Sequence, residues 1–464
     1  MDVNIKRKAF KEIVFKAYDI RGLYPEELDH NTIELIAAAF AEYLKLNGGL
    51  PAQAGTNCVV GEDIRWSSPE ISEIVKKELL DRGVDVIDIG QTTTPLNLFS
   101  LAQTKASGGI MVTASHNTIR FNGLKIYKGL ESLSQTSGLP ELSKMIKEGK
   151  PEYSGPRGKL VKKSFLQEYV DFLSKEIKVK RKLKAVFDTG GGAVGLVLPK
   201  ILQKIKYLDA ETLFLEIDPS LSKREPNPLL PQAQEKIREA VVKNRADVGF
   251  LFDPDGDRVI VFDEKGEAIR GDGILWLLAR RLIHSGESIV YDIRSSRSVV
   301  EDLEAESIKC FKSRVGHSFV QEQMRIENAA LGGELSGHYY FKDFFYSEST
   351  VLAFLKILQI VSSSKNPLSE IMKPFFRYNH SGEINFVASD KAGILTALEK
   401  KYLDADRDYF EGVTFRYPDW WFNIRPSHTE NLLRMVLEAK NKEIFHDKKD
   451  EVLATIFSKG AKLA

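Results

Sequence analysis

Apolar residues recur along the chain at two spacings, which predict helices and strands in alternation. From 31 to 46 and in "SSPEISEIVKKELLDRG" (67–83) they return every three or four positions, as one buried helix face requires. The runs "VDVIDIG" (84–90) and "GGIMV" (108–112) predict strands. A polar Gly/Pro segment at 147–159 is suited to a hinge. We therefore predict an α/β domain that ends near this segment.

The same alternation recurs in two further parts of the chain. A strand at "KLKAVFD" (182–188), a helix around 233–245 and a strand at "DVGFLFD" (247–253) predict a second α/β unit. Strands at "SIVYDI" (288–293) and "IKCFKSR" (308–314) belong to a third unit of the same kind.

The C-terminal residues follow a different pattern. "GEINFVASD" (382–390), a helix, "VTFRYPDWWFNIRPS" (413–427) and a terminal amphipathic helix predict an α+β domain. The predicted fold class is therefore α/β, with three similar α/β domains with mixed sheets and a smaller C-terminal α+β domain. The predicted domains are 1–155, 156–264, 265–376 and 377–464.

Charge, apolar stretches and cysteine content exclude several classes of protein. The chain has 464 residues and a formal net charge of +1, which argues against a nucleic-acid or membrane partner. The N-terminus lacks a signal-peptide pattern, and the apolar stretch from Val351 is too short to span a bilayer. Cys58 and Cys310 lie far apart, which excludes a disulfide framework and favours a reducing compartment. We predict a cytoplasmic protein.

The strongest local signal is the acidic turn in "FLFDPDGDRVIVFDEKG" (250–266). Asp253, Asp255 and Asp257 follow an apolar strand, and carboxylates this close repel unless a cation lies among them. Oxygen ligands favour Mg²⁺ or Ca²⁺ over softer metals. An EF-hand is rejected because Arg258 occupies its glycine position and strands flank the turn. A solvated acidic turn and an aspartyl-phosphate site at Asp253 stay open.

Two other segments carry polar side chains that allow more than one interpretation. Ser115, in "TASHN" after an apolar strand, could be a helix cap, a turn residue or a nucleophile. Glu334, Ser336 and His338 in "GGELSGHYYF" suit the hydroxyls of a sugar, but a turn between two strands explains them equally well.

Two further segments contain polar or glycine-rich turns. Arg425, Ser427 and Thr429 in "RPSHTEN" (425–431) stand just before a predicted helix, where they could bind phosphate or cap the helix. "TGGGAVG" (189–195) matches a dinucleotide fingerprint, but nothing later in the chain indicates hydride chemistry. We favour a plain turn between a strand and a helix.

In this order the motifs resemble those of the α-D-phosphohexomutase family, most of all its phosphomannomutase/phosphoglucomutase branch. The resemblance covers nearly the whole chain and implies four domains around a central cleft. The matching segments are "FKAYDIRG" (15–22, with Tyr18 and Arg21), "GEDIRWSS" (61–68), "TASHN" (113–117), "NGLK" (122–125), "DPDGDR" (253–258), "GELSGH" (333–338) and "RPSHTEN" (425–431).

The resemblance implies an isomerase that interconverts hexose 1-phosphate and hexose 6-phosphate. Ser115 would carry the phosphoryl group as phosphoserine, and its phosphate would join Asp253, Asp255 and Asp257 around Mg²⁺. Transfer to a sugar phosphate would give a hexose 1,6-bisphosphate, which also serves as an activator. Lys125 is the expected proton-transfer group.

The resemblance also implies the residues that surround the reacting groups. Arg21 and Arg258 would steady the transferring phosphate, and His116 and His317 would line the cleft, although a structural role for either histidine is equally open. Glu334 and Ser336 would bind the 3- and 4-hydroxyls of the sugar. The full set of expected substrate-binding residues is Tyr18, Glu334, Ser336, His338, Arg425, Ser427 and Thr429.

Arg425, Ser427 and Thr429 would hold the non-reacting phosphate, and we expect Arg425 to face solvent in the open form. His428 and Asn431 depart from the family's usual asparagine and proline, and Arg294 stands where a lysine is often met. Arginine does not replace lysine in proton transfer, so that role for Arg294 is in doubt.

The expected partners are small sugar phosphates, and the protein is expected to be a monomer or weak dimer. Mannose and glucose phosphates differ only at C2, so dual specificity is plausible. The alternatives are a phosphoglucosamine mutase, an aspartyl-phosphate phosphatase or mutase using Asp253, and a sugar-phosphate binding protein.

Overall fold

The computed structural model describes residues 10–47, 56–149, 152–427 and 430–464. The chain divides into two compact units. The first comprises Met1–Ile269 and His338–Leu368, and the second comprises Arg270–Gly337 and Ser369–Ala464. Within the described ranges, no helix is both long enough and apolar enough to cross a bilayer.

The first unit begins with a mixed sheet. Its elements are a 3₁₀ turn (Glu12–Val14), β1 (Ile20–Leu23), α1 (His30–Asn47), β2 (Asn57–Glu62), α2 (Ser68–Asp81), β3 (Asp85–Gln91), α3 (Thr94–Thr104), β4 (Gly108–Val112), β5 (Phe121–Lys128), β6 (Glu131–Ser132), α4 (Leu139–Glu148) and β7 (Leu160–Lys162). The strand order is β1-β5-β4-β2-β3-β7, with β6 beside β5. β2, β3, β4 and β7 are parallel, whereas β5 runs antiparallel to β1 and β4.

The central strands of this sheet are buried on both faces. Val60 and Ile110 join one apolar cluster with α1 and α2, whereas Val59 and Met111 join another with α3. Successive side chains of a strand point to opposite faces, so continuous apolar runs in β2 and β4 fill both layers. Helices therefore cover both faces of the sheet, as the sequence predicted for a layered α/β domain.

A second mixed sheet follows in the same unit. Its elements are α5 (Leu166–Ser174), β8 (Leu183–Asp188), a 3₁₀ turn (Ala193–Leu196), α6 (Leu198–Leu202), β9 (Leu208–Leu213), α7 (Pro231–Asn244), β10 (Val248–Phe252), β11 (Val259–Phe262) and β12 (Ala268–Ile269). The order is β12-β11-β10-β8-β9, with β8, β9 and β10 parallel. The "TGGGAVG" segment runs from the end of β8 into the 3₁₀ turn, and the helix predicted after it is the five-residue α6.

The chain then forms parallel strands of the second unit. The elements are α8 (Gly271–Leu282), β13 (Ser288–Asp292), α9 (Arg297–Ala305), β14 (Lys309–Ser313), α10 (His317–Ile326) and β15 (Leu331–Gly333). β13 pairs in parallel with both β14 and β15. Residues 338–368, which belong to the first unit, contain β16 (Tyr339–Phe341), a 3₁₀ turn (Lys342–Phe344), β17 (Ser347–Glu348) and α11 (Thr350–Ser363).

The C-terminal residues of the second unit form an antiparallel sheet. α12 (Leu368–Met372) and a 3₁₀ turn (Phe375–Arg377) precede β18 (Asn379–His380), β19 (Ile384–Val387), α13 (Lys391–Lys401), β20 (Asp406–Asp408), β21 (Val413–Arg416), β22 (Trp420–Pro426), β23 (Leu433–Ala439), α14 (Lys442–Ser458) and β24 (Lys462–Leu463). The order is β20-β21-β22-β23-β19-β24, with β18 beside β23. An apolar cluster that includes Phe415, Phe422, Val452 and Ile456 joins the sheet to α14.

Candidate active site

Ser115 lies in the turn between β4 and β5 and is 1% exposed. Its φ of 49° falls in the left-handed region, which non-glycine residues seldom adopt. The hydroxyl Oγ donates a hydrogen bond to Asp253 Oδ2 at 3.0 Å and lies 3.3 Å from His116 Nδ1. β5 follows the turn, so the interpretation of Ser115 as a helix cap is wrong. An unusual backbone conformation at a buried hydroxyl is typical of a functional site.

Arg65 fixes this turn, although the sequence analysis gave it no role beyond its motif. Its buried guanidinium donates to the backbone oxygens of Ser115 and Asn117, each at 2.6 Å, and of Thr118 and Phe121, at 2.9 and 3.0 Å. The same group pairs with Asp63 at 3.1 Å. One planar group therefore binds three carbonyls of the turn and the carbonyl of Phe121, the first residue of β5.

Three aspartates occupy the turn between β10 and β11. Asp253, Asp255 and Asp257 are buried, and one carboxylate oxygen from each lies within 4.8 Å of the others. Burial, together with the neighbouring Asp257 and Asp255, raises the pKa of Asp253 well above its ordinary value. Burial alone would also raise the pKa of Asp257, but nearby cationic groups, with Lys125 foremost, hold that pKa well below its ordinary value.

This carboxylate group fits a hard divalent cation. Asp255 Oδ1 is buried and accepts no hydrogen bond, whereas Asp255 Oδ2 accepts one from Thr94 Oγ1 at 2.7 Å. A carboxylate oxygen left without a donor in the interior is unfavourable, and a bound cation would satisfy it. Exclusively oxygen donors favour Mg²⁺ or Ca²⁺.

Lys125 lies against the same carboxylates. Lys125 is a residue of β5, which pairs antiparallel with β4. The Lys125 ammonium Nζ lies 2.9 Å from Asp255 Oδ2 and contacts Asp257. Burial lowers the pKa of Lys125, but Asp255 and Asp257 raise it well above its ordinary value. A Cβ on Gly123 would lie 2.3 Å from the carbonyl oxygen of Ile20, so the glycine of "NGLK" permits the close pairing of β5 with β1.

Arg258, His338 and His116 complete the cationic side of this site. Arg258 donates its backbone N–H to Asp253 Oδ1 at 3.0 Å, and its Nε lies 3.3 Å from His338 Nε2. His338 Nε2 is also 3.4 Å from Asp257 Oδ1. Burial, and then Arg258 and Arg21, lower the pKa of His116 well below its ordinary value, so this ring is neutral beside the Ser115 hydroxyl.

Arg21 reaches the serine turn from β1. Its guanidinium donates to Asn117 Oδ1 at 2.5 Å and pairs with Asp19. Tyr18 is half-buried just before this strand. The first unit thus brings together, or links through Asn117, the predicted residues Ser115, Lys125, Arg21, His116, Arg258, His338, Asp253, Asp255 and Asp257.

The predicted residues of the second unit include a buried carboxylate. Glu334 is 1% exposed; its Oε1 accepts a hydrogen bond from the backbone N–H of Gly316 at 3.0 Å and lies 3.7 Å from Arg294 Nη2. His317 follows as the first residue of α10 and is buried, as is Ser336. The structure therefore joins Glu334 to the backbone just before His317.

Arg425 differs from the sequence expectation of a solvent-facing side chain. It is 2% exposed and forms ion pairs with Glu383 at 2.8 Å and Glu411 at 3.4 Å. Neither carboxylate was found in the sequence, because Glu383 precedes Arg425 by 42 positions and no motif links them. Arg425 is an internal, paired cation in this unit.

The expected helix after "RPSHTEN" is also absent from the described residues. β23 follows this segment and pairs antiparallel with β22 from Trp420 to Pro426. Ser427 donates its backbone N–H to Leu432 O at 2.8 Å, and its Oγ accepts from Glu430 N at 3.3 Å. The helix-capping interpretation and the helix N–H contribution to phosphate binding are both wrong, since the segment is a strand connection. Thr429 and His428 lie outside the described residues.

Comparison with known sequences and structures decides the family. Models described as phosphoglucomutase/phosphomannomutase alpha/beta/alpha domains I, II and III match residues 12–148, 167–266 and 270–378. A phosphomannomutase of Salmonella typhimurium is 35% identical over 92% of this chain and 94% of its own length. The chain belongs to the phosphoglucomutase/phosphomannomutase family.

Solved structures agree with this assignment. A phosphoglucomutase/phosphomannomutase family protein from Burkholderia thailandensis has a TM-score of 0.87 and 26% identity, covering 98% of this chain and 100% of its own. An Aspergillus fumigatus N-acetylphosphoglucosamine mutase, solved with GlcNAc-6P and magnesium, has a TM-score of 0.60 and 13% identity, covering 97% of each chain. The second likeness shows the fold alone.

Membership of the phosphoglucomutase/phosphomannomutase family confirms the resemblance seen in the motifs. It also confirms the predicted fold class of α/β domains with mixed sheets and a C-terminal domain, whose sheet is antiparallel. As a member of this family the chain is a mutase, an enzyme of the isomerase class. The domain boundaries predicted above stay predictions.

Proposed function

We propose that this protein interconverts hexose 1-phosphates and hexose 6-phosphates of mannose and glucose through a phosphoserine at Ser115. The observation that carries the proposal is the hydrogen bond of 3.0 Å between Ser115 Oγ and Asp253 Oδ2. This contact joins a buried hydroxyl to a carboxylate cluster suited to a divalent cation. A hydroxyl in such surroundings can carry a phosphoryl group whose charge is offset nearby.

The proposed reaction consists of two transfers. In the first, the bond between Ser115 Oγ and phosphorus breaks, and a bond forms between phosphorus and a hydroxyl of the sugar monophosphate. The sugar hydroxyl loses its proton, Ser115 Oγ gains one, and the product is a hexose 1,6-bisphosphate. In the second, the other phosphate of this intermediate returns to Ser115 Oγ and regenerates phosphoserine. The bond between this phosphorus and its sugar oxygen breaks; the sugar oxygen takes up a proton, and Ser115 Oγ loses the proton that it gained in the first transfer.

Lys125 is the proposed proton-transfer group. Its ammonium is buried beside Asp255 and Asp257, which keep it protonated, so we assign it first as a donor to the oxygen that loses phosphorus. Arg21 and Arg258 would supply positive charge near Ser115, since Arg21 donates to Asn117 and Arg258 pairs with Asp253. Catalysis would consist of positioning and charge neutralisation.

Asp253, Asp255 and Asp257 are the proposed ligands of Mg²⁺. When bound, the ion would neutralise phosphate charge during transfer. The unsatisfied Asp255 Oδ1 and the oxygen-only donor set support this assignment. The structural relative from Aspergillus fumigatus was solved with magnesium, which fits the same proposal. A hexose 1,6-bisphosphate is the proposed activator, because it can transfer a phosphoryl group to an unphosphorylated Ser115.

The second unit is proposed to bind the part of the substrate that does not react. Glu334 and Ser336 would accept hydrogen bonds from sugar hydroxyls and donate to them, and His317 would support them. His338, which belongs to the first unit, is proposed for the same role. Arg425, Ser427 and Thr429 would bind the non-reacting phosphate. Arg425 forms ion pairs with Glu383 and Glu411, and its guanidinium has five N–H donors, more than two such pairs require.

The aspartyl-phosphate alternative has less support than phosphoserine. Asp253 accepts hydrogen bonds on both oxygens, from Arg258 N and from Ser115 Oγ. A carboxylate used in this way is better suited to bind a cation than to attack phosphorus. Phosphoglucosamine remains the alternative substrate, and a monomer or weak dimer in the cytoplasm is the proposed state.

Phosphopeptide mapping after incubation with glucose 1,6-bisphosphate tests the mechanism. Acid-stable phosphate on the peptide containing Ser115 is expected, whereas hydroxylamine-labile phosphate on Asp253 would support the alternative. Turnover of mannose, glucose and glucosamine 1-phosphates, measured side by side, identifies the sugar. A protein that binds these sugars without turning any over would be a binding protein instead.

A further inference from the structure

Glu383 lies at the centre of three arginines in the second unit. Its Oε2 accepts hydrogen bonds from Arg425 Nη2 at 2.8 Å and Arg294 Nη1 at 3.3 Å, and its Oε1 accepts one from Arg434 Nη1 at 2.9 Å. The carboxylate side chain is 16% exposed, and those of Arg425 and Arg294 are 3% and 5% exposed. A single carboxylate therefore holds guanidiniums from three separate parts of the chain.

Two of the three arginines that contact Glu383 face each other across the antiparallel sheet. Arg425 on β22 is the direct cross-strand partner of Arg434 on β23, so both side chains stand on the same face. Like charges directly opposite each other destabilise a sheet unless an anion lies between them. Burial raises the pKa of Glu383, but Arg294, Arg425 and Arg434 together lower it to about 2, so the side chain is an anion at neutral pH.

Arg294 shows why arginine suits its position. Its guanidinium donates to Asp292 Oδ2 through Nε at 3.2 Å and Nη2 at 2.6 Å, while Nη1 reaches Glu383. A lysine carries one compact ammonium and could not present this fork to two carboxylates in different directions. Asp292 Oδ2 also accepts the backbone N–H of Leu335, the residue after Glu334. Glu383 is thus connected through Arg294 to the "GELSGH" segment.

We propose that Glu383 is a positioning residue for substrate phosphate, which acts by holding the guanidinium of Arg425 in a fixed orientation. This inference rests on the proposed function of Arg425. A mobile arginine loses side-chain freedom when it binds an anion, whereas one already held by a carboxylate has lost that freedom beforehand. The geometry of the phosphate site is then set by a residue that does not touch the substrate.

Two variants of Glu383 separate charge and geometry. Glu383→Gln keeps the size of the side chain but removes its charge, and its single amide oxygen can accept hydrogen bonds on only one of the two sides where the carboxylate accepts them. Glu383→Asp keeps the carboxylate on a shorter stem and should restore part of the effect. The matched control is Glu301→Gln, which removes a carboxylate in the same unit that pairs with Arg377 at 2.7 Å and accepts from Tyr378, neither of which is a predicted site residue.

Steady-state kinetics and calorimetric binding of glucose 6-phosphate and mannose 1-phosphate are the measurements. We expect Glu383→Gln to raise KM and Kd about fivefold to tenfold, with kcat changed less than about threefold. Glu383→Asp should lie between this variant and the wild type, and Glu301→Gln should match the wild type in KM. The melting temperature is recorded for each variant to identify a purely structural loss.

The outcomes distinguish this inference from the proposed function. Unchanged KM and Kd in Glu383→Gln, with a wild type that turns over sugar phosphates, would overturn the inference alone. A lower KM would also overturn it, because Glu383 would then compete with phosphate for Arg425. A wild type that binds but does not turn over the sugars would contradict the proposed function while leaving the Kd comparison as the test. No binding by the wild type would overturn both.

Discussion

Arg65 Nη2 donates a hydrogen bond of 2.6 Å to the carbonyl oxygen of Ser115, 50 positions further along the chain. Ser115 has a φ of 49°, and this carbonyl belongs to a turn in which Arg65 also binds three other backbone oxygens. The strained conformation of the serine is therefore maintained by a side chain from the end of β2. The backbone that carries the Ser115 hydroxyl is therefore held by this guanidinium, together with the contacts of Ser115 itself.

Arg65→Lys should lower kcat by about tenfold to a hundredfold, because an ammonium cannot serve four carbonyls and buried acceptors left unpaired cost about 1–3 kcal/mol each. KM should change less, since Arg65 is assigned no contact with the sugar. The control is Arg297→Lys, whose parent side chain donates to the carbonyls of Pro418 and Tyr417 at 2.9 and 2.8 Å in the second unit. An equal loss of kcat in Arg65→Lys and Arg297→Lys would contradict a specific role for Arg65 at the serine turn.

Ser115→Ala should abolish most turnover, because the proposed covalent carrier is lost. The fold should be retained, since alanine fits the space and the Arg65 contacts use the backbone of the turn. Mutase assays and phosphopeptide mapping check the prediction together. Turnover near that of the wild type would show that another group carries the phosphoryl.

Asp255→Asn should raise the Mg²⁺ concentration needed for half-maximal activity and depress kcat, because one of three anionic ligands becomes neutral. Chelation with EDTA should inactivate the wild type, and added Mg²⁺ should restore it. The control is Asp263→Asn, at the end of β11, whose parent carboxylate accepts backbone N–H groups of Lys265 and Glu267. Wild-type activity that is indifferent to EDTA would contradict the metal assignment.

The sequence predicted the parts of the site whose residues are close together along the chain. Asp253, Asp255 and Asp257 share one turn, so their charge repulsion was visible without a structure. Lys125 was found through "NGLK", which pairs β5 with β4 next to Ser115. The aspartates were recognised from their local spacing, whereas Lys125 was assigned only through the family resemblance of its motif. The three-domain α/β pattern follows from local periodicity.

The contacts that the sequence missed connect distant residues. Arg65 and the serine turn are separated by about fifty positions, and Arg294 and Glu383 by 89. Both pairings arise only when β-strands are assembled in a particular order, which the periodicity of single segments does not specify. The partners of a buried arginine are therefore set by tertiary structure.

The mistaken helix after "RPSHTEN" has a similar cause. Leu433 to Ala439 contains leucine, methionine, glutamate and alanine, which favour helices. In the structure this segment pairs with β22 on one side and β19 on the other. Two neighbouring strands outweigh a weak intrinsic preference, so the segment is β23.

His380 should make stability depend on pH. Its Nδ1 accepts the backbone N–H of Gly382 at 3.0 Å, and its Nε2 lies 2.9 Å from the carbonyl oxygen of Arg294, an arrangement that suits a neutral ring. Burial, and then Arg270, lower the pKa of His380 to about 3, with Asp272 acting in the opposite direction. The unfolded chain, with an ordinary pKa of about 6.5, therefore binds more protons at mildly acidic pH.

The contribution of His380 is fully present above about pH 6.5 and is lost as pH falls toward the folded-state value, at up to about 1.4 kcal/mol per pH unit. His380→Asn should remove this part of the slope. Urea denaturation of both proteins at about pH 7 and about pH 5 measures the difference. Parallel pH dependences would mean that other groups determine the acid sensitivity.

Arg425 offers the most direct test of phosphate binding in the second unit. Arg425→Lys keeps a positive charge beside Glu383 and Glu411 but loses the guanidinium fork, so KM for 1-phosphate and 6-phosphate sugars should rise about tenfold in both directions. The equality follows because each isomer must use its non-reacting phosphate there. Arg425→Ala would remove one partner from Glu383 and one from the buried Glu411, which lowers stability and risks unfolding.

The double variant Glu383→Gln with Arg425→Lys then tests whether the two residues act together. If Glu383 works by orienting Arg425, the double variant should raise KM about as much as Arg425→Lys alone, because the oriented fork is already lost. Independent contributions would instead multiply the two increases. Unchanged KM in Arg425→Lys, with normal melting temperature, would mean that Arg425 is a structural cation and that the non-reacting phosphate binds elsewhere.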